Sequence, residues 1–178
     1  KDDVKKVLYS EEQLAKRVKE MAEEISKDYA GKDLLVVGIL KGSVLFTSDL
    51  IKNITIPCEI DFMAVSSYGN SAQTSGVVRI LKDLDSDIEN KHVLIVEDIV
   101  DTGTTLSYLL EYLKARKAAS IEIVALLDKE ARRTSNVSAK YKGFDVPDEF
   151  IVGYGIDYAE KYRNLPFIGA LKEEIYNK

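Results

Sequence analysis

The sequence predicts an α/β fold in which helices flank a mostly parallel, twisted β-sheet. Two apolar runs, at residues 34–40 and 93–96, have the length and continuity of strands that are buried on both faces. Amphipathic helical patterns alternate with such runs along the chain, as they do in βαβ units. The 178 residues suit a single domain, residues 1–178, with room for one small appended lobe.

Composition and charge argue against several classes of protein. Hydrophobic residues make up 46% of the chain and charged residues 31%, which is ordinary for a globular domain. No stretch approaches the roughly 20 apolar residues of a membrane span, and the first ten residues lack the apolar run of a signal peptide. The single cysteine allows no internal disulfide. We therefore expect a cytoplasmic protein that does not enter membranes.

The net charge is −5 at pH 7 and the isoelectric point is about 5.1. A molecule with this charge does not attract nucleic acid or anionic membranes over its surface as a whole. Neither is therefore expected as a partner. A phosphate ligand would have to be held by a local pocket rather than by a general positive field.

The first helix is predicted from its start signal and its apolar face. Residues 10–13 form a capping-box pattern, and Gly31 is a suitable stop. The apolar positions that follow the capping box fall on one helical face: Leu14, Val18, Met21, Ala22 and Ile25.

The next elements continue the alternation. A helix is predicted over about residues 43–51, and a strand over residues 60–65. Residues 66–77 are rich in Ser, Gly and Asn, a composition that is typical of a loop able to open and close. A further strand is predicted over residues 78–81.

The second half repeats the pattern. A helix with a leucine stripe follows the strand at residues 93–96. The stripe consists of Leu106, Leu109, Leu110 and Leu113. Residues 121–127 form a third core strand, and residues 129–136 are charged and turn-like. A further strand is predicted at residues 150–154, an extended stretch at residues 165–171, and a helical turn at the end.

The most informative segment is residues 97–105, between a buried strand and an amphipathic helix. In open α/β sheets, ligands bind at the carboxyl ends of strands, where this segment lies. Gly103 lets the backbone approach a ligand closely, and the free N–H groups of a helix start favour an anion. Three hydroxyl donors surround it: Thr102, Thr104 and Thr105. These donors suit a phosphate, and the absence of a P-loop lysine disfavours an ATPase.

The acidic half of the same segment does not suit a bare phosphate. Ionised Glu97 and Asp98 only accept hydrogen bonds, so they need donors or a cation. A vicinal sugar diol supplies donors and hydrated magnesium supplies charge. Acids for a diol beside donors for a phosphate together describe a ribose 5-phosphate. The alternative is an ordinary β-to-α turn with a threonine N-cap and solvated acids, which the density of these features in nine residues disfavours.

Residues 93–105 resemble the PRPP-binding signature of the type I phosphoribosyltransferases, PRPP being 5-phosphoribosyl 1-pyrophosphate. Residues 40–43, 67–69, 127–129 and 150–158 narrow the resemblance to the bacterial branch that uses 6-oxopurines. The resemblance covers nearly the whole chain in the right order. It implies the type I phosphoribosyltransferase fold, with a small hood formed by N- and C-terminal segments.

The resemblance implies a pyrophosphate subsite and a non-proline cis peptide bond at residues 40–41. The residues assigned to that subsite are Lys41, Gly42, Ser67, Tyr68 and Arg163. Ser67 and Tyr68 would belong to a lid that excludes water. By themselves, however, Lys41 and Gly42 are a common turn into a helix, and residues 66–77 are equally consistent with an ordinary hairpin loop.

The resemblance also assigns the purine base to three residues. Lys129 would donate to the exocyclic O6, Phe150 would stack on the base, and the backbone of Ile151 would read the base edge. Adenine carries an amino group in place of O6 and would leave the Lys129 donor unpaired, so selection against adenine follows. Taken alone, Lys129 would be a solvated lysine and Phe150 a core residue.

The resemblance assigns the ribose phosphate, the catalytic step and most of the metal ligands to residues 97–105. PRPP would be held by Glu97, Asp98, Asp101, Thr102, Gly103, Thr104 and Thr105. Magnesium would be bound by Glu97, Asp98 and Asp157. Asp101 would be the catalytic residue that takes a proton from N7 of the purine. From the residues alone, Asp101 could also be the N-cap of the following helix.

The implied activity is transfer of the 5-phosphoribosyl group from PRPP to N9 of hypoxanthine, with guanine as a second base. The products are IMP or GMP and pyrophosphate, which places the reaction in purine salvage. By analogy the chain forms a homodimer or homotetramer, and guanosine tetraphosphate is a candidate inhibitor. Two rivals are a PRPP-binding transcription regulator, which the acidic charge disfavours, and a phosphoribosyltransferase for adenine or a pyrimidine.

Overall fold

A computed structural model describes residues 2–67 and 78–177 of the chain. The described part contains nine strands, four α-helices and one short 3-10 helix. In chain order the elements are β1 (Val4–Tyr9), α1 (Glu11–Asp28), β2 (Leu34–Leu40), α2 (Val44–Asn53), β3 (Glu59–Ser67), β4 (Val78–Lys82), β5 (His92–Val100), α3 (Thr104–Lys114), β6 (Ser120–Asp128), the 3-10 helix (Glu130–Arg132), β7 (Tyr141–Asp145), β8 (Ile151–Val152), β9 (Ile168–Leu171) and α4 (Glu173–Tyr176).

Six strands form the main sheet in the order β4-β3-β2-β5-β6-β7. Strands β3, β2, β5, β6 and β7 are parallel to one another. The edge strand β4 pairs antiparallel with β3. The predicted α/β class with a mostly parallel sheet is therefore confirmed. Because parallel strands share one carboxyl edge, the loops that follow β2, β5 and β6 meet at the same end of the sheet.

Side-chain alternation along β5 separates the core into two clusters. Leu94 and Val96 face the cluster that includes α1 and α2, while Val93 and Ile95 face the cluster that includes α3. All four side chains are fully buried. A strand covered on both faces must be apolar throughout, which explains the continuous apolar run in its sequence.

The first helix begins as its sequence predicts. Ser10 and Gln13 form a capping box, in which each side chain accepts a hydrogen bond from the other residue's backbone N–H. The predicted apolar face is buried, and Gly31 follows the helix end with a left-handed φ of 76°. In the described residues, no helix is long and apolar enough to cross a membrane.

A second, three-stranded sheet has the order β1-β9-β8 and is antiparallel. It is built from the two ends of the chain, the segments from which the resemblance implied a hood. The sequence patterns did not predict β1, whose residues are mostly exposed or half-buried and therefore carry little periodic signal. The assignment of residues 1–178 to one domain stays a prediction.

Three further elements differ from their predicted bounds. The strand β5 continues to Val100, so the acidic residues Glu97 and Asp98 lie within the strand and not after it. The strand β8 contains only Ile151 and Val152, because the chain turns at Gly153 and Tyr154 with φ values of 105° and 50°. Strand β3 includes residues 66 and 67, which the sequence assigned to the loop at 66–77; the rest of that predicted loop lies outside the described residues.

The edge strand β7 was missed because its sequence has no alternation. It holds one glycine and two charged residues among five. Arg17 of α1 fastens it to the rest of the molecule: its Nε donates to the Gly143 carbonyl at 2.9 Å and a terminal nitrogen donates to the Lys142 carbonyl at 2.7 Å. A tertiary contact of this kind leaves no mark on the local pattern.

We expect Leu50→Ala to lower the free energy of unfolding by about 2–5 kcal/mol, since it leaves a cavity in a closed core. Leu50 is fully buried on α2. The matched control is Leu45→Ala on the same helix, where the leucine is 38% exposed and the expected loss is about 1 kcal/mol or less. Urea unfolding of both variants measures the difference, and equal losses would contradict this account of the core.

Candidate active site

A cavity of about 190 Å³ at the carboxyl end of β5 is lined by Glu97 and by residues 99–106. Gly103 has a left-handed φ of 81° and is the N-cap of α3, which begins at Thr104. The alternative in which Asp101 caps this helix is therefore wrong. The cavity is lined by Glu97, Ile99, Val100, Asp101, Thr102, Gly103, Thr104, Thr105 and Leu106. Hydroxyl groups and the start of a helix meet there, as an anion requires.

Asp101 is exposed and lies where two cavities adjoin. Its Oδ1 accepts a hydrogen bond from the backbone N–H of Thr102 at 2.7 Å. Asp101 and Ile99 line both the 190 Å³ cavity and a second cavity of about 650 Å³. A carboxylate in this position can act on a ligand that spans the two.

Glu97 and Asp98 are adjacent in β5, and both side chains are half-buried. Burial raises the pKa of Glu97 well above its ordinary value, and the charges of Asp98 and Asp101 raise it further. Burial likewise raises the pKa of Asp98 to about 6, although the backbone N–H of Ile99 and the charge of Arg163 act in the opposite direction. The pair is short of positive charge, which is what a cation or a donor-rich ligand would supply.

The turn after β2 packs directly against this acidic pair. The Leu40–Lys41 peptide bond is cis, as the resemblance implied. A Cβ on Gly42 would overlap the Asp98 carboxylate, and a Cβ on Gly155 would overlap the Gly42 carbonyl. Glycine at both positions therefore allows three separate segments of the chain to converge on one point.

Two cations stand beside that turn. Lys41 Nζ lies 3.2 Å from one oxygen of Glu160, and a terminal nitrogen of Arg163 lies 3.2 Å from the other. Arg163 also donates to the Gly155 carbonyl at 2.7 Å and lies 3.5 Å from Asp157. The predicted pyrophosphate residues Lys41, Gly42 and Arg163 are thus brought together.

The larger cavity carries the residues predicted for the purine. Lys129 Nζ donates to the Glu149 carbonyl at 2.8 Å, and its side chain is 13% exposed. Phe150 is 40% exposed, so the reading of Phe150 as a core residue is wrong. Its ring stacks on Tyr176 with centroids 4.5 Å apart. The lining consists of Lys5, Ile99, Asp101, Lys129, Arg132, Asp148, Glu149, Phe150, Ile151, Ile156, Glu173 and Tyr176.

The remaining predicted residues are placed only in part. Tyr68 lies outside the described residues, and Ser67 is described only as the last residue of β3. Asp157 accepts a hydrogen bond from the Glu160 backbone N–H at 2.8 Å. Across residues 2–67 and 78–177, no three His, Cys, Asp or Glu side chains are grouped closely enough to hold a metal by themselves. The assignment of magnesium to Glu97, Asp98 and Asp157 stays a prediction.

Several lining and bracing residues were not found from the sequence. Ile99, Ile156 and Tyr176 line the larger cavity, but none of them belongs to a motif with recognisable chemistry. Arg133 and Ser135 hydrogen bond to the carbonyls of Asp101 and Thr102, respectively. None of these five residues stands at a sequence spacing that predicts a role in the site. The charged composition of residues 129–136 was the only signal, and it applied to Arg133 and Ser135.

Comparisons with known proteins agree with this arrangement. The profile of the phosphoribosyl transferase domain matches residues 6–159. The chain is 54% identical over 176 residues to the hypoxanthine-guanine phosphoribosyltransferase of Bacillus subtilis (strain 168), covering 99% of this chain and 98% of that protein. It is 56% identical over 176 residues to the protein of the same name from Staphylococcus aureus (strain Mu50), with the same coverage.

A solved structure gives the same result. The crystal structure of a hypoxanthine phosphoribosyltransferase from Staphylococcus aureus matches with a TM-score of 0.97 at 55% identity, covering 99% of this chain and 96% of that chain. The chain therefore belongs to the phosphoribosyltransferase family, a family of pentosyltransferase enzymes. Within that family it groups with the hypoxanthine-guanine phosphoribosyltransferases.

The raised pKa of Asp98 predicts that Asp98→Asn stabilises the protein without ligands at pH 8. The folded state keeps the Asp98 proton up to about pH 6, whereas an unfolded Asp loses it near its ordinary value of 3.8. The stability from the protonated form is therefore lost as pH rises from about 4 to 6, and asparagine avoids that loss.

Urea unfolding at pH 8 and pH 4 measures this effect. The advantage of Asp98→Asn should be present at pH 8 and shrink at pH 4. The control is Asp33→Asn, an exposed aspartate just before β2, at the opposite end of the sheet. An Asp98→Asn variant that is no more stable than the parent at pH 8 would show that the carboxylate is not buried without sufficient positive charge.

Proposed function

We propose that this phosphoribosyltransferase moves the 5-phosphoribosyl group of PRPP onto N9 of a 6-oxopurine, with residues 97–105 as the centre of the active site. The observation that carries the proposal is the position of Asp101, which borders both the small cavity for a ribose phosphate and the large cavity for a base. Hypoxanthine is the favoured base and guanine the second. The products would be IMP or GMP and pyrophosphate, formed in purine salvage.

The 5-phosphate would bind at the start of α3. The hydroxyls of Thr102, Thr104 and Thr105 and the N-terminal end of the helix supply donors and a favourable dipole. Gly103 supports this role because its left-handed φ disfavours any residue with a Cβ. Glu97 and Asp98 would accept hydrogen bonds from the ribose hydroxyls.

Pyrophosphate would bind beside the turn at Lys41 and Gly42. The charges of Lys41 and Arg163, which both contact Glu160 here, support this role. Ser67 and Tyr68 stay predicted members of the same subsite. Together, these groups would stabilise the negative charge that develops on the leaving pyrophosphate.

Magnesium is the proposed metal, held by Glu97, Asp98 and Asp157 together with oxygens of the substrate and water. The donor set fits because magnesium prefers oxygen ligands and keeps several waters, so it does not need a cage of protein side chains. The raised pKa values of Glu97 and Asp98 also indicate a site that lacks positive charge. When bound, the ion would neutralise charge on the pyrophosphate.

The base would bind in the larger cavity. Lys129 would donate to O6, the exposed ring of Phe150 would stack on the purine, and the backbone of Ile151 would contact the base edge. A donor at O6 favours hypoxanthine and guanine over adenine, whose amino group would leave the lysine unpaired. This argument disfavours the rival in which the base is adenine.

In the reaction, N9 attacks C1 of the ribose while the bond from C1 to the pyrophosphate oxygen breaks. The base loses its N7 proton to the Asp101 carboxylate, which leaves a neutral purine in the nucleotide. The ionised carboxylate also lies near the positive charge that builds on the ribose ring. A homodimer or homotetramer, a cytoplasmic location and inhibition by guanosine tetraphosphate stay predictions.

The function is tested by a spectrophotometric assay with PRPP and magnesium against hypoxanthine, guanine, xanthine, adenine and uracil. We expect turnover of hypoxanthine and guanine, and at least about 100-fold lower kcat/KM for adenine and uracil, because a buried donor left unpaired is costly. Turnover of adenine or uracil at the hypoxanthine rate would support the rival enzyme. No turnover of any base would support the regulator.

Asp101→Asn should lower kcat by about 100- to 10,000-fold, the range typical of a lost proton acceptor, while leaving the fold intact. The fold should persist because Asp101 is exposed and asparagine can still accept the Thr102 N–H. Steady-state kinetics and urea unfolding measure the two effects. The control is Asp87→Asn, an exposed aspartate in the loop before β5, and near-normal turnover of Asp101→Asn would refute the assignment.

A further inference from the structure

Arg133 connects the loop that carries Asp101 to two other parts of the chain, at Asp128 and Val137. Its Nε donates to the Asp101 carbonyl at 3.0 Å, one terminal nitrogen donates to the Val137 carbonyl at 2.6 Å, and the other pairs with the Asp128 carboxylate. The Arg133 side chain is 14% exposed and that of Asp128 is 3% exposed. A largely buried guanidinium in which each of the three nitrogens donates a hydrogen bond fixes geometry, which a solvated surface arginine does not.

The peptide group between Asp101 and Thr102 connects this arginine to the Asp101 carboxylate. Because the group is planar and trans, its carbonyl and its N–H point in opposite directions. The carbonyl accepts from Arg133, and the N–H donates to Asp101 Oδ1 at 2.7 Å. Any rotation of this plane would weaken both hydrogen bonds together. Arg133 therefore orients the N–H that holds the carboxylate.

The following peptide group is braced from the same side. The Thr102 carbonyl accepts from the Thr134 backbone N–H at 3.0 Å and from the Ser135 hydroxyl at 3.1 Å. Two consecutive carbonyls of the loop are thus fastened to residues 133–135. These residues follow closely after Lys129, so one short stretch of chain contacts both the base cavity and the loop that carries Asp101.

We propose that Arg133 is a positioning residue for the transfer reaction, acting through the Asp101–Thr102 peptide group on the Asp101 carboxylate. This inference rests on the function proposed above. Arg133 does not touch the reacting atoms. It keeps the proton acceptor at the border of the two cavities, where N7 of a bound purine would lie.

A double-mutant cycle tests this role. Arg133→Gln and Arg133→Lys are made in the parent and in Asp101→Asn, and kcat is measured with saturating PRPP, magnesium and hypoxanthine. In the parent, each should lower kcat by about 10- to 100-fold, since a small displacement of a catalytic group has an effect of this size. In Asp101→Asn, each should lower kcat by less than about 2-fold, because no carboxylate remains to be positioned. Arg133→Lys keeps the positive charge beside Asp128, so the cycle can be completed with this variant if Arg133→Gln does not fold.

Arg17→Gln is the matched control. Arg17 also donates to two main-chain carbonyls, those of Gly143 and Lys142, but on the edge strand β7. Arg17→Gln should leave kcat unchanged both in the parent and in Asp101→Asn. Equal losses for Arg133 variants in both backgrounds, or no loss in the parent, would overturn the proposal. An inactive parent would refute the proposed function instead, and that result is seen before any Arg133 variant is compared.

Discussion

Two carboxylates buried at the end of a central strand are the constraint on which this site depends. Glu97 and Asp98 continue β5 beyond its apolar run, alongside β6, and burial raises the pKa of both carboxylates. An isolated buried carboxylate is costly, so the surrounding structure must supply donors and cations or leave the group protonated. The raised pKa values indicate that the protein by itself compensates the charge incompletely. A ligand rich in donors and a divalent ion would complete the compensation.

The neighbouring loops are shaped by that constraint. Gly42 lets the turn after β2 approach the Asp98 carboxylate, and Gly155 lets a second loop approach the Gly42 carbonyl, both at distances that a Cβ would prevent. Arg163 then brings a positive charge close enough to act on the pKa of Asp98. Anion-binding and acid-bearing elements can therefore occupy the same edge of the sheet. Their separation is set by main-chain packing, which is more rigid than long exposed side chains.

The site consists of two adjoining cavities. The 190 Å³ cavity and the 650 Å³ cavity meet at Ile99 and Asp101, so a ligand that spans both would pass the Asp101 carboxylate. The stretch from Asp128 to Ser135 lines the larger cavity through Lys129 and contacts the loop that carries Asp101 through Arg133. Lys129 and Arg133 thus contact different parts of the site although they are close in sequence. Under the proposed function, this one stretch of chain would position both the base and the proton acceptor.

The sequence by itself determined the α/β class, the capped first helix and the acidic and threonine-rich segment, because each rests on local spacing or composition. It also marked Gly103, whose backbone requirement is local. The tertiary structure alone decided that β5 continues through Glu97 and Asp98, that β7 pairs with β6, and that Arg133 braces the Asp101 carbonyl. Those features depend on contacts between residues far apart in the chain or on which neighbour a strand meets. Local propensity does not encode such contacts, since the same residues would be solvated in another setting.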